Sequence, residues 1–240
     1  MSSSNFIENT SLYLDSMRKL TSELILDNLS SKSDKEQILL MFVRRIKDCS
    51  DSISILMTEE KYYDVCILSS HIVEGLILYL FLNENEKEMK NFMDFSMVPY
   101  LSNVSVDNRE NILKIIKEQN INRFIKPNTK QHSEHFFNRS DYVKTWSRET
   151  LFNKSTNITD NKELSEFCYQ LYSLLCNYKH YEPYYLDVRY NAENDNTRRL
   201  DAYLGIWVSY IVLVSFADEY SKMFNKKINL DNYVNILQNN

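Results

Sequence analysis

Ile72-Val73-Glu74-Gly75-Leu76-Ile77-Leu78-Tyr79-Leu80-Phe81-Leu82 is the stretch that decides the fold class. Wound as a helix, it is apolar around nearly its whole circumference, and a helix of that kind is the buried centre of a domain. A second such run, Leu204 to Ala217, is broken only by Ser209 and Ser215. Neither run reaches the ~20 residues that span a bilayer, so both are read as core helices and no membrane partner is expected. The whole chain of 240 residues has only two glycines, Gly75 and Gly205, and three prolines, Pro99, Pro127 and Pro183. Sheets need Gly, Pro and Asn-Gly turns every few residues, so this scarcity predicts long helices that reverse rarely.

Working outward, Leu14, Met17, Leu20, Leu24 and Ile25 recur at helical spacing and predict a first helix over about 10–29. Ser33 with Glu36 forms a capping-box pattern and opens a second, to about Met57. Thr58 is the expected N-cap of the third, from about Glu59 to Leu82, followed by a charged connection, Asn83 to Lys90. Asp107 with Glu110 caps a short helix to about Gln119, and residues 121–145, with Pro127, His132 and His135, read as a long loop. A further helix begins after Asp160 and stops at Pro183. Its expected core stripe is Leu164, Phe167, Cys168, Leu171, Leu174, Leu175 and Tyr178. Tyr184 to Asn196 reads as extended, Thr197 caps a long helix to about Phe224, and Leu230, Val234 and Leu237 mark a short last one. The expectation is an all-α, single-domain helical bundle of about seven helices over 1–240, with no linker.

Met1-Ser2-Ser3-Ser4-Asn5 has neither a positive n-region nor an apolar h-region, and Cys49, Cys66, Cys168 and Cys176 are scattered without a Cys-x-x-Cys pair. Reduced thiols in a cytoplasm are the expectation. The formal net charge of -5 lends nothing to nucleic-acid binding, although a small cleft can be locally basic on an acidic protein.

Two polar islands interrupt the apolar helices. Ser70, His71 and Glu74 fall within about 100° on the third helix, where an ionised carboxylate needs a cation or hydrogen-bond donors to meet it. Such a group is a structural ion pair or part of a site. On the later helix, Tyr172, Cys176 and His180 stand four residues apart in one row away from the core stripe. A histidine at a helix C-terminus gains from the macrodipole when protonated, which suits a proton donor or acceptor and equally a cap on the last carbonyls. His132 and His135 with Cys176 and His180 match no familiar zinc spacing, so no metal or other cofactor is expected. The absence of a glycine-rich loop excludes P-loop and Rossmann chemistry, and a nucleophile elbow needs glycines the chain lacks.

The stretch Asp64 to Leu80, with Ser70 and Glu74, resembles the Ala-Arg-Ser-x-x-Glu helix of an uncharacterised prokaryotic family placed among the HEPN-like proteins. Trp146-Ser147 and Tyr172-x-x-x-Cys176-x-x-x-His180 resemble that family's Trp-Ser segment and its Tyr-x-x-x-Ser-x-x-x-His helix. The resemblance covers about residues 35–220. It implies a helical bundle, often dimeric, of the kind found in toxin–antitoxin and antiviral defence systems, many members of which cut RNA without a metal. Carried over, the catalytic histidine is His180 and the nearby polar residue Asn177, with Glu74 and His71 on the facing helix. The family's arginine is not matched: Leu174 and Leu175 stand at its positions, and the arginine of the earlier helix falls at Ser70. Lys179, Arg148 and Arg189 are the candidate cations, and Tyr172 joins them as a substrate-binding residue. Two functions follow as expectations, an endoribonuclease using His180 as general base or a catalytically silent subunit that binds a partner protein. A homodimer or a defence-system partner is expected in either case.

Overall fold

The computed structural model describes residues 9–26, 33–95, 147, 149–179 and 195–238. Among them are eight α-helices and one 3-10 turn, with no strand. The helices are α1 Thr10–Glu23, α2 Asp34–Thr58, α3 Tyr62–Glu84, α4 Glu86–Phe95, α5 Leu151–Thr156, α6 Lys162–Cys176, α7 Asp195–Phe224 and α8 Asp231–Gln238. The chain divides into two compact units, Met1–Phe81 with Leu151–Asn240, and Leu82–Thr150.

In the first unit α7 packs against α1, α2, α6 and α8. Residues of α3 close on it from another side, where a Cβ built on Gly205 would stand 2.7 Å from Ser69 Oγ. Phe42, Tyr79 and Phe216 join α2, α3 and α7, with ring centroids 6.1, 5.0 and 6.2 Å apart. Buried tyrosines carry a hydroxyl that must find a partner, and here the partners tie the ends of the chain together. Tyr210 donates to the Tyr233 carbonyl, Tyr233 to Glu23, and Tyr220 to the Ile25 carbonyl. All four cysteines are free, and three of them are buried. Of the second unit the described residues include α4, which begins with Glu86 and Glu88 in its first turn, where carboxylates favour the helix dipole.

Several sequence expectations need correction. There are eight described helices against about seven, because α4 forms in the stretch read as a charged connection and α5 carried no periodic signal in only six residues. The expected helix over 107–119 and the loop over 121–145 lie outside the described residues. Helix α1 ends at Glu23 rather than near residue 29. Leu24 leaves helical geometry, keeping its own side chain buried while Ile25 is exposed and gives its carbonyl to Tyr220. Ser33 does cap α2, accepting from the Glu36 amide. Thr58 is no N-cap; it is the last residue of α2, its hydroxyl donates to the Ser54 carbonyl, and Glu60 makes the turn at φ 54°. Helix α6 ends at Cys176, well before Pro183, and passes into the 3-10 turn Asn177–Lys179. Its stripe is also shifted: Phe167 is exposed against Trp207, and Ser165 is buried instead, donating to the Ser155 carbonyl. Helix α7 starts two residues before Thr197, so Asp195 and Asn196 are helical, not extended.

The helices Tyr62–Glu84 and Asn196–Phe224 have 23 and 29 residues and are long and apolar enough, by length and composition, to cross a membrane. Counting only uninterrupted apolar runs missed this, because a helix accommodates the scattered polar residues that end such runs. In each, 67% of the apolar window is buried inside the protein, and the core helices of water-soluble proteins meet the same criterion.

Candidate functional site

On α3 the three members of the first polar island part company. Ser70 is fully buried and donates to the Ile67 carbonyl at 2.7 Å, which leaves it inside the helix packing. His71 and Glu74, one turn apart, stand at the edge of the helix with side chains 40% and 34% exposed. Glu74 is therefore half-buried rather than sealed in the core, because the apolar circumference of this helix is interrupted at that edge.

The cation that meets Glu74 comes from the turn after α6. Lys179 Nζ lies 3.2 Å from Glu74 Oε2 and 3.4 Å from His71 Nδ1, and its side chain is only 18% exposed. His71 Nδ1 also faces the carboxylate, 3.8 Å from Glu74 Oε2. The same ammonium lies 5.2 Å from the centroid of the Tyr172 ring, within cation–π range. Asn177 spends an amide proton on the Ser173 carbonyl at 2.8 Å, capping the end of α6. Tyr172 and Cys176 keep the four-residue row expected of them, and Cys176 points its thiol at the Ser173 carbonyl, 3.6 Å away.

These neighbours set the electrostatics. His71 beside it holds the Glu74 carboxyl below the usual carboxylate value; partial burial pulls the other way, and the Lys179 charge reinforces His71. Burial pushes the Tyr172 hydroxyl up, and the Glu74 charge adds to that. Burial also raises the Cys176 thiol, against the favourable pull of Lys179 and a hydrogen bond with Tyr172. A depressed carboxyl stabilises the fold above the unfolded glutamate value of about 4.3, and that contribution disappears as pH falls through the lower folded value. Glu74→Gln should therefore flatten part of the acid limb of stability below about pH 4.3 while leaving the curve above pH 6 parallel to wild type. Urea midpoints measured from pH 6 to pH 3 check this, and an unchanged acid limb would count against the Glu74–His71–Lys179 cluster.

An aromatic row leads away from Lys179. Tyr172 and Tyr169 have centroids 6.2 Å apart, and Tyr169 and Phe152 of α5 are 5.3 Å apart. Phe152, 52% exposed, had not been singled out from sequence, because nothing marked α5 as a helix. Also missed were Tyr63 and Asp201, which hold the turn from behind: Tyr63 donates to the Tyr178 carbonyl, and Tyr178 donates to Asp201 Oδ2. Asp201 stands among polar and charged residues at the start of α7, before its apolar run, so no sequence pattern marked it.

The fold thus brings together Glu74, His71, Lys179 and Tyr172 of the expected site residues, with Asn177 as a cap beside them. His180, Arg148 and Arg189 lie outside the described residues, as do His132 and His135. Among the described residues no three His, Cys, Asp or Glu side chains are grouped so as to hold a metal ion. Comparison of the chain with family models, with curated proteins and with solved structures finds no match.

Proposed function

We propose that the chain is a cytoplasmic, HEPN-like effector that cuts RNA without a metal, acting in a bacterial defence or toxin system. The observation that carries this reading is the Lys179 ammonium, 18% exposed and held between Glu74 and His71 at 3.2 and 3.4 Å. It supplies the charge that the missing arginine leaves unaccounted for, beside an imidazole able to move a proton. In this reaction the ribose 2′-oxygen bonds to phosphorus, the bond from phosphorus to the 5′-oxygen breaks, and a 2′,3′-cyclic phosphate results. His180, next to Lys179 in the chain, is the general base that takes the 2′-hydroxyl proton. His71, as the imidazolium, returns a proton to the 5′-oxygen as it leaves. Lys179 faces the charge that develops on the phosphorane, and Glu74 keeps lysine and imidazole in register. The tilted aromatic row Phe152, Tyr169, Tyr172 offers ring surface for unpaired bases.

That row, with Phe152 exposed at its end, also favours a second reading, a catalytically silent subunit whose aromatic face docks on a partner protein or a second copy. Purified wild type and His180→Ala, assayed on total RNA with and without EDTA and melted side by side, separate the two. The nuclease reading expects cleavage that survives EDTA and is lost in His180→Ala with the melting temperature nearly unchanged. No cleavage by wild type, together with a destabilised His180→Ala, leaves the binding subunit.

A further inference from the structure

We propose that Tyr63, Tyr178 and Asp201 form a partly buried clamp that sets the position of the Lys179 ammonium, so that Tyr63 and Asp201 are positioning residues of the site. Tyr178 directly precedes Lys179, and its ring is fully buried. Its hydroxyl donates to Asp201 on α7, and its carbonyl accepts from the Tyr63 hydroxyl on α3. The two tyrosine rings meet edge to face, with centroids 5.3 Å apart at 72°. Both the side chain and the backbone of one residue are thus anchored, on two different helices.

The clamp acts where the chain is weakest. The last carbonyls of a helix have no partner within it, and a short 3-10 turn after them has poor hydrogen-bond geometry of its own. Left alone, Asn177–Lys179 would fray and carry Lys179 with it. The Tyr63 hydroxyl takes one of these orphan carbonyls, while Tyr178 fixes the rotation of the turn by plugging into the core. Lys179 then projects toward α3 and reaches Glu74 and His71 instead of solvent. Asp201 bears a cost for this, since burial pushes its carboxyl up against the help of the Tyr178 hydrogen bond. A desolvated carboxylate is a poor choice for stability alone, because an apolar residue of similar size would avoid the penalty. It is a good choice for orienting a phenol, which an apolar residue cannot do.

The inference rests on the nuclease reading only for what the positioned ammonium is used for, and it is tested without RNA. Cys176 is the one cysteine that is not buried, and the Lys179 charge favours its thiolate. The pH midpoint of its alkylation by iodoacetamide in the full chain therefore reports where the ammonium sits. Lys179→Met should raise the midpoint and slow alkylation at pH 8 by about threefold. Tyr63→Phe keeps the ring and removes only the hydroxyl; it should move the midpoint in the same direction, as should Asp201→Ala, while Asp201→Asn, which retains an acceptor for Tyr178, should restore the wild-type midpoint. Local loosening would expose the thiol and relieve the burial that raises it, moving the midpoint down rather than up, so it does not imitate the effect. Should Asp201→Ala fail to fold, Tyr63→Phe decides. A wild-type midpoint in Tyr63→Phe, or in Lys179→Met itself, overturns the clamp. A shifted midpoint in a protein that cuts no RNA leaves the clamp standing and removes the nuclease reading; an unshifted midpoint in a protein that does cut RNA does the reverse.

Discussion

Lys179→Met should lower RNA cleavage by roughly 10²–10³-fold, the usual loss when one donor to a developing charge is removed. The methionine keeps much of the stem, so the packing over Tyr172 is largely conserved and the charge is the main thing lost. The interpretive risk is Glu74, 34% exposed, which loses its cation and sits half-buried without one. The double variant Lys179→Met/Glu74→Gln removes that orphan charge. It should recover the thermal stability lost in the single variant and recover none of the cleavage. Single-turnover cleavage and thermal melts of the three proteins form one experiment. Cleavage within threefold of wild type in Lys179→Met would remove lysine from the mechanism, and recovery of cleavage in the double variant would show that the single change had acted through the fold.

Gly205→Ala should destabilise the fold by about 1–3 kcal/mol, the range for overpacking a tight helix contact. The added Cβ would meet Ser69 Oγ at 2.7 Å and Ser69 Cβ at 3.0 Å, where α3 and α7 cross. Ser69 can swing its hydroxyl aside by changing one rotamer, but its Cβ moves only with the helix, so the backbones must part. Ser69 Oγ is buried and has no hydrogen-bond partner among the described residues, so its loss sacrifices no bond there. The exchange Ser69→Gly/Gly205→Ala therefore transfers the vacancy from one helix to the other, and should lie within about 1 kcal/mol of wild type. Gly75 is the control: its added Cβ would touch Phe42 at 3.6 Å, an ordinary contact, so Gly75→Ala should gain up to about 1 kcal/mol from helix propensity. In a chain of this length each kcal/mol moves the melting temperature by about 2–4 °C, so the opposite signs are easily resolved. Equal effects at the two glycines would mean that the helices do not cross as described.

The sequence by itself determined the class of the protein and the location of its central helices. Scarce glycine and proline rule out frequent chain reversals, and two all-round apolar runs form long helices kept from water, so α3 and α7 were legible before any coordinates. The Ser33 cap was legible because capping is a local pattern of four residues, Ser33 to Glu36. Two helices were not: α4 carries its apolar set, Met89, Phe92 and Met93, among charges that read as a connection, and α5 is only six residues long. The candidate site divides in the same way. Glu74, His71 and Tyr172 stood out by their helical spacing and Lys179 only as a candidate cation through the family resemblance, but their pairing did not, since 105 positions separate Lys179 from Glu74. Only tertiary packing chooses which cation meets a carboxylate, because the desolvation that forces a pairing exists only once the helices are assembled. The same holds for Tyr63, Tyr178 and Asp201: a phenol's partner is set by where its buried ring leaves the hydroxyl, and that is a property of the closed core.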